Sequence, residues 1–399
     1  MLKKVLSCIV LLHKVKFKRK LPQGIELIVI DGEVFHFLEE VASKYNYKVL
    51  ETRTLRIKEI YINLNIIKYV LKNFFKTLKI SYLAAVIEEI KPRIIITFID
   101  NSTYFSELAK KLYKKYTFIA VQNACRIDIL ENEYYFKKDI IKKNPNTDFF
   151  IPNFFCLGQN DIDSYKKLSI KVDHFFIIGS LRINKLIKKI KIKRDKKYDI
   201  CFISNTTWTG EKVGKEKSFE TGYTDLLLHT IKFCIEKNTK FIFCLKAHDG
   251  IESQYKELNY LKKILTEKYF NYLKENCTLN DFEENSTYKN VLQSDVIIGK
   301  TSTILGESLA LKKKIFVCNF SNLQFLDFPI QGICALKENE YRIFEKNLKK
   351  ILEINFEQYL TLIENSKNYL VYYEDGYNPN NKLIEFIDKN LNLKARTIN

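Results

Sequence analysis

Short, fully apolar segments alternate with longer amphipathic stretches along the chain, and this alternation constrains the fold more than any other feature. Arg93–Phe98, Thr117–Val121 and Tyr198–Ser204 are examples of the apolar runs. Strands that are buried on both faces have continuous apolar sequences, and the intervening stretches have the length of helices. The alternation therefore predicts an α/β protein with parallel sheets.

The predicted elements form two series. In the first, we predict strands at Glu26–Ile30, Arg93–Phe98 and Thr117–Val121, with helices at Glu33–Lys44, Leu64–Lys79, Ser81–Ile90 and Ser102–Lys115. In the second, we predict strands at Tyr198–Ser204, Lys240–Ala247, Asp295–Ile298 and Lys314–Cys318, with helices ending at Lys237 and spanning Glu252–Lys274, Thr287–Gln293 and Thr303–Lys312. A lysine-rich stretch separates the two series.

A length of 399 residues favours two domains over one. We predict two doubly wound, Rossmann-like lobes that face a cleft. The predicted boundaries are an N-terminal lobe at 1–185, a linker at 186–197, a C-terminal lobe at 198–340 and a helical tail at 341–399. Packing of this tail back onto the N-terminal lobe is one option.

The formal net charge of +19 raises the question of a nucleic-acid partner. The excess is spread along the chain as lysine, without an arginine-rich arm or a nucleic-acid-binding motif. Abundant Asn, Ile, Phe and Tyr indicate an AT-rich coding bias, which adds lysine without selection for a polyanion. The composition therefore favours an anionic membrane surface or phosphorylated substrates over specific nucleic acid.

Cysteines and the N-terminus indicate where the protein resides. The nine cysteines form no CxxC pair and lie mostly in apolar runs, which is typical of reduced core residues in a cytoplasmic protein. The apolar run at 5–12 is followed by basic residues and no cleavage site, so it favours a first strand over a signal peptide, with a membrane-skimming segment as the alternative. No stretch is long enough to span a bilayer. We expect a cytoplasmic location, with peripheral contact at the inner membrane as an option.

The strongest candidate site is the segment that follows the strand Asp295–Ile298. Lys300, Ser302 and Thr303 lie between that strand and the next helix, where free backbone N–H groups and the helix dipole favour an anion. Glu307 lies one turn further along the same helix face, placed to accept hydrogen bonds from sugar hydroxyls. An ordinary capped helix explains the same residues equally well. The spacing is not that of a P-loop.

Two further segments end predicted strands of the second series. Lys246 and His248 are two residues apart and suit a diphosphate, and His248 is also a candidate acid. Ser204 and Asn205 provide small polar groups after the first strand. A polar turn without a ligand is the alternative in both places.

In the N-terminal half, polar side chains follow two neighbouring strands. Asp100 and Asn101 end one strand, and Gln122 and Asn123 end the next. Asp100 is the predicted general base, because deprotonating an acceptor hydroxyl needs a positioned carboxylate or imidazole. A helix-capping or turn role explains Asp100 at least as well, and its rivals as base are Asp31, His36 and Asp128. No HxxxH or Cys/His cluster is present, so no metal and no bound cofactor are predicted.

Three segments resemble known families. Ser294–Asn319 (SDVIIGKTSTILGESLALKKKIFVCN) is similar to the donor-site segment of GT-B glycosyltransferases, and Lys246-Ala247-His248 is similar to the Lys-x-His of capsule glycosyltransferases and CDP-glycerol glycerophosphotransferases. Arg93–Arg126 resembles bacterial surface-carbohydrate (O-antigen biosynthesis) proteins, in which a "TfxDN" segment is followed by "QNGxR". Ala124, Asp249 and Lys312 depart from these patterns.

By this resemblance, Lys246, His248, Ser302, Thr303 and Glu307 would contact a nucleotide-sugar donor. Asn101, Gln122, Asn123 and Arg126 would lie on the acceptor side.

The resulting hypothesis is a metal-independent glycosyltransferase that transfers a sugar from a nucleotide-sugar to a surface-polysaccharide acceptor, such as a lipid-linked saccharide. A polyol-phosphate transferase, a nucleotide-sugar epimerase and a non-catalytic GT-B-like binding subunit are the alternatives.

Overall fold

The computed structural model describes residues 15–53, 56–73, 77–125, 149–167, 170–189, 196–205, 222–246, 251–279, 286–365 and 367–396. Two six-stranded sheets, each entirely parallel, form its framework. The predicted α/β fold with parallel sheets is confirmed.

The first sheet belongs to the N-terminal half. The strands of this half are β1 (Lys16–Lys18), β2 (Leu27–Ile30), β3 (Tyr47–Leu50), β4 (Glu59–Tyr61), β5 (Ile94–Thr97), β6 (Thr117–Val121), β7 (Phe149–Cys156) and β8 (Ile170–Ile177). Six of them form the sheet in the order β3-β2-β5-β6-β7-β8, and β1 pairs with β4 in a separate parallel ribbon. The helices are α1 (Glu39–Ala42), α2 (Leu64–Lys72), α3 (Leu78–Ile90), α4 (Thr103–Leu112), α5 (Gln159–Lys166) and α6 (Leu181–Lys189), with a 3-10 helix at Phe35–Phe37.

The second sheet has the order β11-β10-β9-β12-β13-β14. Its strands are β9 (Tyr198–Ile203), β10 (Phe241–Cys244), β11 (Cys277–Thr278), β12 (Ser294–Gly299), β13 (Lys314–Cys318) and β14 (Ala335–Leu336). The helices are α7 (Tyr223–Lys237), α8 (Ile251–Ile264), α9 (Glu267–Glu275), α10 (Ser286–Leu292), α11 (Thr303–Ala310), α12 (Tyr341–Glu353), α13 (Phe356–Leu360) and α14 (Pro379–Arg396), with a 3-10 helix at Gln324–Leu326. Strand β9 lies at the centre of the sheet, between β10 and β12.

The end of the chain is divided between the two lobes. Phe344 and Leu348 of α12 are buried against the second sheet. Leu383 and Ile387 of α14 are buried in the core cluster that contains strand residues of the first sheet, such as Val29. The chain therefore returns to the N-terminal lobe before it ends.

Several elements differ from the predictions. The predicted helix at Glu33–Lys44 is a 3-10 turn followed by the one-turn helix α1, and Val34 has a positive φ of 55° that interrupts a regular helix. The predicted helix at Glu252–Lys274 is two helices, because Thr266 caps α9 by accepting a hydrogen bond from the Tyr269 N–H at 3.5 Å. Helix α6 overlaps the first residues of the lysine-rich stretch predicted as a linker.

Among the described residues, no helix has both the length and the apolar character needed to cross a membrane. The eight cysteines in the described ranges carry free thiols, and six of them are buried.

Candidate functional site

The carboxyl ends of β9 and β12 meet at one edge of the second sheet. The Asn205 amide follows β9 and donates a hydrogen bond to the hydroxyl of Thr301, which follows β12. Ser302 is the N-cap of α11 and accepts a hydrogen bond from the Ile304 N–H at 3.4 Å. Lys300 is buried at the same turn. A cation and a helix N-terminus therefore lie together at this edge, an arrangement that favours an anion.

A buried carboxylate connects two of the predicted donor-side segments. Glu257 of α8 is fully buried and accepts hydrogen bonds from the Ser204 hydroxyl and, at 2.8 Å, from the Lys246 N–H. Because the Ser204 hydrogen is directed at Glu257, the Tyr223 hydroxyl donates to Ser204 at 2.8 Å. Glu257 therefore fixes the ends of β9 and β10 relative to each other.

The same network shifts the pKa values of Glu257 and Lys246 at this edge. Burial raises the pKa of Glu257 to about 7, although its hydrogen bonds and the nearby Lys246 lower it. Burial also lowers the pKa of Lys246, whereas Glu257 raises it. The two groups stabilise each other's charged forms in a site that otherwise disfavours charge.

One face of α11 contacts the N-terminal lobe. The Thr303 hydroxyl accepts a hydrogen bond from the Cys125 N–H at 3.1 Å, and Cys125 follows the end of β6. Gly306 lies one turn further, where an added Cβ would lie 3.2 Å from the Cys125 sulfur. The carboxyl edges of the two sheets are therefore in contact at this point, as a cleft between facing lobes requires.

Glu307 lies on the same face and is buried. Its carboxylate accepts hydrogen bonds from two hydroxyl groups. Ser180, which follows β8 of the first sheet, donates at 2.5 Å, and Tyr288 of α10 is the second donor. Burial raises the pKa of Glu307, although Arg182 and these hydrogen bonds lower it. In the structure this carboxylate connects the lobes, and its predicted contact with a sugar or ribose stays a prediction.

The acceptor-side residues lie at the carboxyl edge of the first sheet. Asp100 is buried and accepts hydrogen bonds from the Asn123 N–H at 3.3 Å and the Tyr165 hydroxyl at 3.2 Å. Gln122 is also buried, and its amide donates to Asp161 at 2.6 Å. The structure therefore brings Asp100, Gln122 and Asn123 together, and protein groups satisfy much of their hydrogen-bonding capacity. Their roles toward an acceptor stay predictions.

The other predicted candidates are Asn101, Arg126, His248 and the rival bases. Asn101 is exposed at the start of the turn before α4. Arg126, His248 and the rival base Asp128 lie outside the described residues. Asp31 accepts hydrogen bonds from Thr52 at 2.7 Å and Arg53 at 3.2 Å. Within the described ranges, no group of three or more His, Cys, Asp or Glu residues could hold a metal ion.

The sequence does not single out Glu257 as a site residue, although it contains a signal. Ser253, Gln254 and Glu257 share the buried face of α8 with Leu261. Polar side chains at the helical spacing expected for a core face must find partners inside the protein. Such a pattern indicates a buried polar network next to the strand ends.

The fold is similar to several solved structures. No protein-family model matches the sequence, and no curated protein matches it significantly. The S. aureus MnaA–UDP structure matches with a TM-score of 0.53 and 13% identity, over 92% of this chain and 97% of that chain. The UDP-GlcNAc 2-epimerase from Neisseria meningitidis bound to UDP-GlcNAc matches with a TM-score of 0.50 and 15% identity, over 91% and 99%. A variant of the wall teichoic acid polymerase TagF matches with a TM-score of 0.50 and 12% identity, over 93% and 90%.

These matches cover both sheets and almost the whole length of each matched chain. At such low identity they define the fold, and the chain accordingly has a GT-B-like architecture of two Rossmann-like lobes. The predicted fold class is confirmed.

Proposed function

We propose that the chain is a metal-independent glycosyltransferase of the GT-B type. It would bind a nucleotide-sugar donor at the carboxyl edge of the second sheet and an acceptor saccharide at the facing edge of the first. The observation that carries this proposal is the convergence of Asn205, Lys246 and the N-terminus of α11 at one edge. Ligands of open parallel sheets bind at this edge.

The chemistry of the edge suits a departing nucleoside diphosphate. Transfer of the sugar leaves negative charge on the diphosphate, and that charge needs stabilisation in the transition state. The helix N-terminus at Ser302 supplies aligned N–H groups, and Lys246 and Lys300 supply positive charge. These groups perform the task that a divalent cation performs in other transferases.

The fold comparison supports a nucleotide-sugar ligand. Two of the matched structures are described with UDP or UDP-GlcNAc, and a third is a wall teichoic acid polymerase. By analogy with these proteins, this chain would use a nucleotide-activated donor in surface-carbohydrate synthesis. Asp100 and His248 are our candidates for proton transfer, and Arg126 is an acceptor-side candidate.

The test is turnover of a panel of UDP-, CDP-, GDP- and CMP-sugars, with and without saccharide acceptors. We expect acceptor-dependent release of one nucleotide by the wild-type protein and its loss in Lys246→Met. Lys240→Met is the matched control, because Lys240 is exposed at the opposite end of the same strand and should leave turnover unchanged. Equal activity in both variants would contradict the proposed donor site.

Nucleotide-sugar epimerisation is the second candidate, and the match to UDP-GlcNAc 2-epimerase structures favours it. An epimerase converts the donor without an acceptor, so incubation with the donor alone separates the two functions. If isomers of the nucleotide-sugar form without an acceptor, the function of this site is epimerisation and not sugar transfer.

A further inference from the structure

A groove of about 1070 Å³ opens in the N-terminal lobe between helices α2 and α3 on one side and strands β3 and β4 on the other. Its walls are largely apolar and include Ile60, Val70 and Leu83. The volume is slightly above the usual range for small-molecule sites, about 300–1,000 Å³. We call this feature the N-lobe groove.

Apolar side chains continue from the groove to the protein surface. Ile67, Leu71 and Leu78 line its mouth and are 44%, 78% and 63% exposed. In α2 itself, Ile66 is the one buried residue among nine. An exposed apolar surface that leads into an apolar cavity indicates a hydrophobic ligand.

The rim of the groove is basic. Arg56 and Lys58 line it and are exposed, and neither has an ion-pair partner among the described residues. Lys48, by contrast, pairs with Glu59 at 2.6 Å. Two uncompensated cations beside an apolar cavity complement a ligand that has a hydrocarbon chain and an anionic head.

One end of the groove reaches the carboxyl edge of the first sheet. Gly32 and Glu51 line that end, and they follow β2 and β3. Strand β2 is the neighbour of β5, which Asp100 follows. A ligand in the groove would therefore extend toward the edge proposed to hold the acceptor.

We propose that the N-lobe groove binds the hydrocarbon chain of a phosphate-bearing lipid, with the phosphate at Arg56 and Lys58. Lipid binding itself is independent of the proposed function. The identification of this lipid as the carrier of the acceptor saccharide rests on that function.

The concave shape of the groove favours binding of one hydrocarbon chain over adhesion of the protein to a bilayer. Two positions on α2, Ile67 and Leu64, distinguish these cases. Ile67 lines the groove, whereas Leu64 is 72% exposed on the same helix and does not line it. Adhesion to a bilayer would use both side chains. Binding of one chain in the groove would use Ile67 alone.

The test is calorimetric binding of hexyl, octyl and decyl phosphate to the full chain, below their micelle concentrations. Burial of each added methylene should tighten binding by about fourfold. Ile67→Glu and the groove-filling Val70→Trp should each weaken decyl phosphate binding at least tenfold, and Leu64→Glu should not change it. Arg56→Gln/Lys58→Gln should weaken octyl phosphate binding and leave binding of octan-1-ol unchanged.

Affinity that does not depend on chain length, or equal loss in Ile67→Glu and Leu64→Glu, would overturn the proposal. A different outcome is that the wild-type protein binds phosphatidylglycerol vesicles, both variants lose this binding, and none of the proteins binds alkyl phosphates. That result would identify a membrane-adhesion surface instead. A wild-type dimer that Ile67→Glu dissociates would identify a second copy as the occupant. Alkyl phosphate binding by a protein that binds no nucleotide would contradict the proposed function and leave the groove assignment intact.

Discussion

Replacing Glu257 with glutamine measures the energetic cost of the buried charge that connects β9 and β10. Glutamine has nearly the same shape, can accept from the Lys246 N–H and can donate to Ser204, so the two contacts of Glu257 survive. The ionised carboxylate is lost. The experiment therefore isolates the effect of charge from the effect of packing.

The expected magnitude follows from the pKa. Burial raises the pKa of Glu257 from 4.5 to about 7, and each pKa unit corresponds to about 1.4 kcal/mol. Between these two pH values the folded protein holds a proton that the unfolded chain has lost, so stability falls as the pH rises. The full cost, about 3 kcal/mol, is reached above pH 7.

The assay is chemical denaturation at intervals from pH 4 to pH 8.5, followed by circular dichroism. The free energy of unfolding of the wild-type protein should fall by about 3 kcal/mol relative to that of Glu257→Gln over this range. Glu252→Gln, at an 80% exposed position of the same helix, is the control and should run parallel to wild type. Parallel curves for Glu257→Gln and wild type would refute the reasoning.

Two further predictions concern contacts that join distant segments. Gly158→Ala should destabilise the protein by about 1–3 kcal/mol, seen as a lower Tm, because an added Cβ would lie 2.4 Å from the Tyr369 carbonyl oxygen; an unchanged Tm would show that these segments do not pack so closely. Glu307→Ala should cost about 2–4 kcal/mol by leaving the Ser180 and Tyr288 hydroxyls without their acceptor. Ser180→Ala should cost less in that background than in the wild-type protein, because only the hydrogen bond from the Ile183 N–H is then left to lose; additive losses in a double-mutant cycle would contradict the contact between the lobes.

Strands buried on both faces were the most predictable part of the fold. The bounds of β6 and β13 agree with the predicted ones, because each is a continuous apolar run. Strands β7 and β8 were not predicted. Pro152 and Asn153 interrupt the apolar run in β7, and β8 is a half-exposed edge strand with polar residues along its length. Burial at the edge of a sheet depends on neighbours that the sequence does not reveal.

The sequence predicts which segments form the site, but not which of their side chains contact each other. The sequence places Ser302 at the start of α11 because capping is a local property. The contact of Glu307 with Ser180 spans 127 positions, and it depends on how the two lobes meet. The same limitation applies to Glu257, whose partner Ser204 lies 53 residues away. Non-local pairing of buried polar groups follows from the tertiary structure alone.

The most direct test of the central claim is a thermal-shift measurement with UDP, CDP, GDP and CMP on the wild-type protein, Lys246→Met and Lys240→Met. A ligand at about 100 times its Kd stabilises the folded state by about 2.7 kcal/mol, which corresponds to a rise in Tm of roughly 3 °C for a chain of 399 residues that unfolds as one unit. We predict this rise for at least one nucleotide in the wild-type protein and in Lys240→Met, and a much smaller rise in Lys246→Met. No rise with any nucleotide, or an equal rise in all three proteins, would contradict a nucleotide-sugar site at the carboxyl edge of the second sheet.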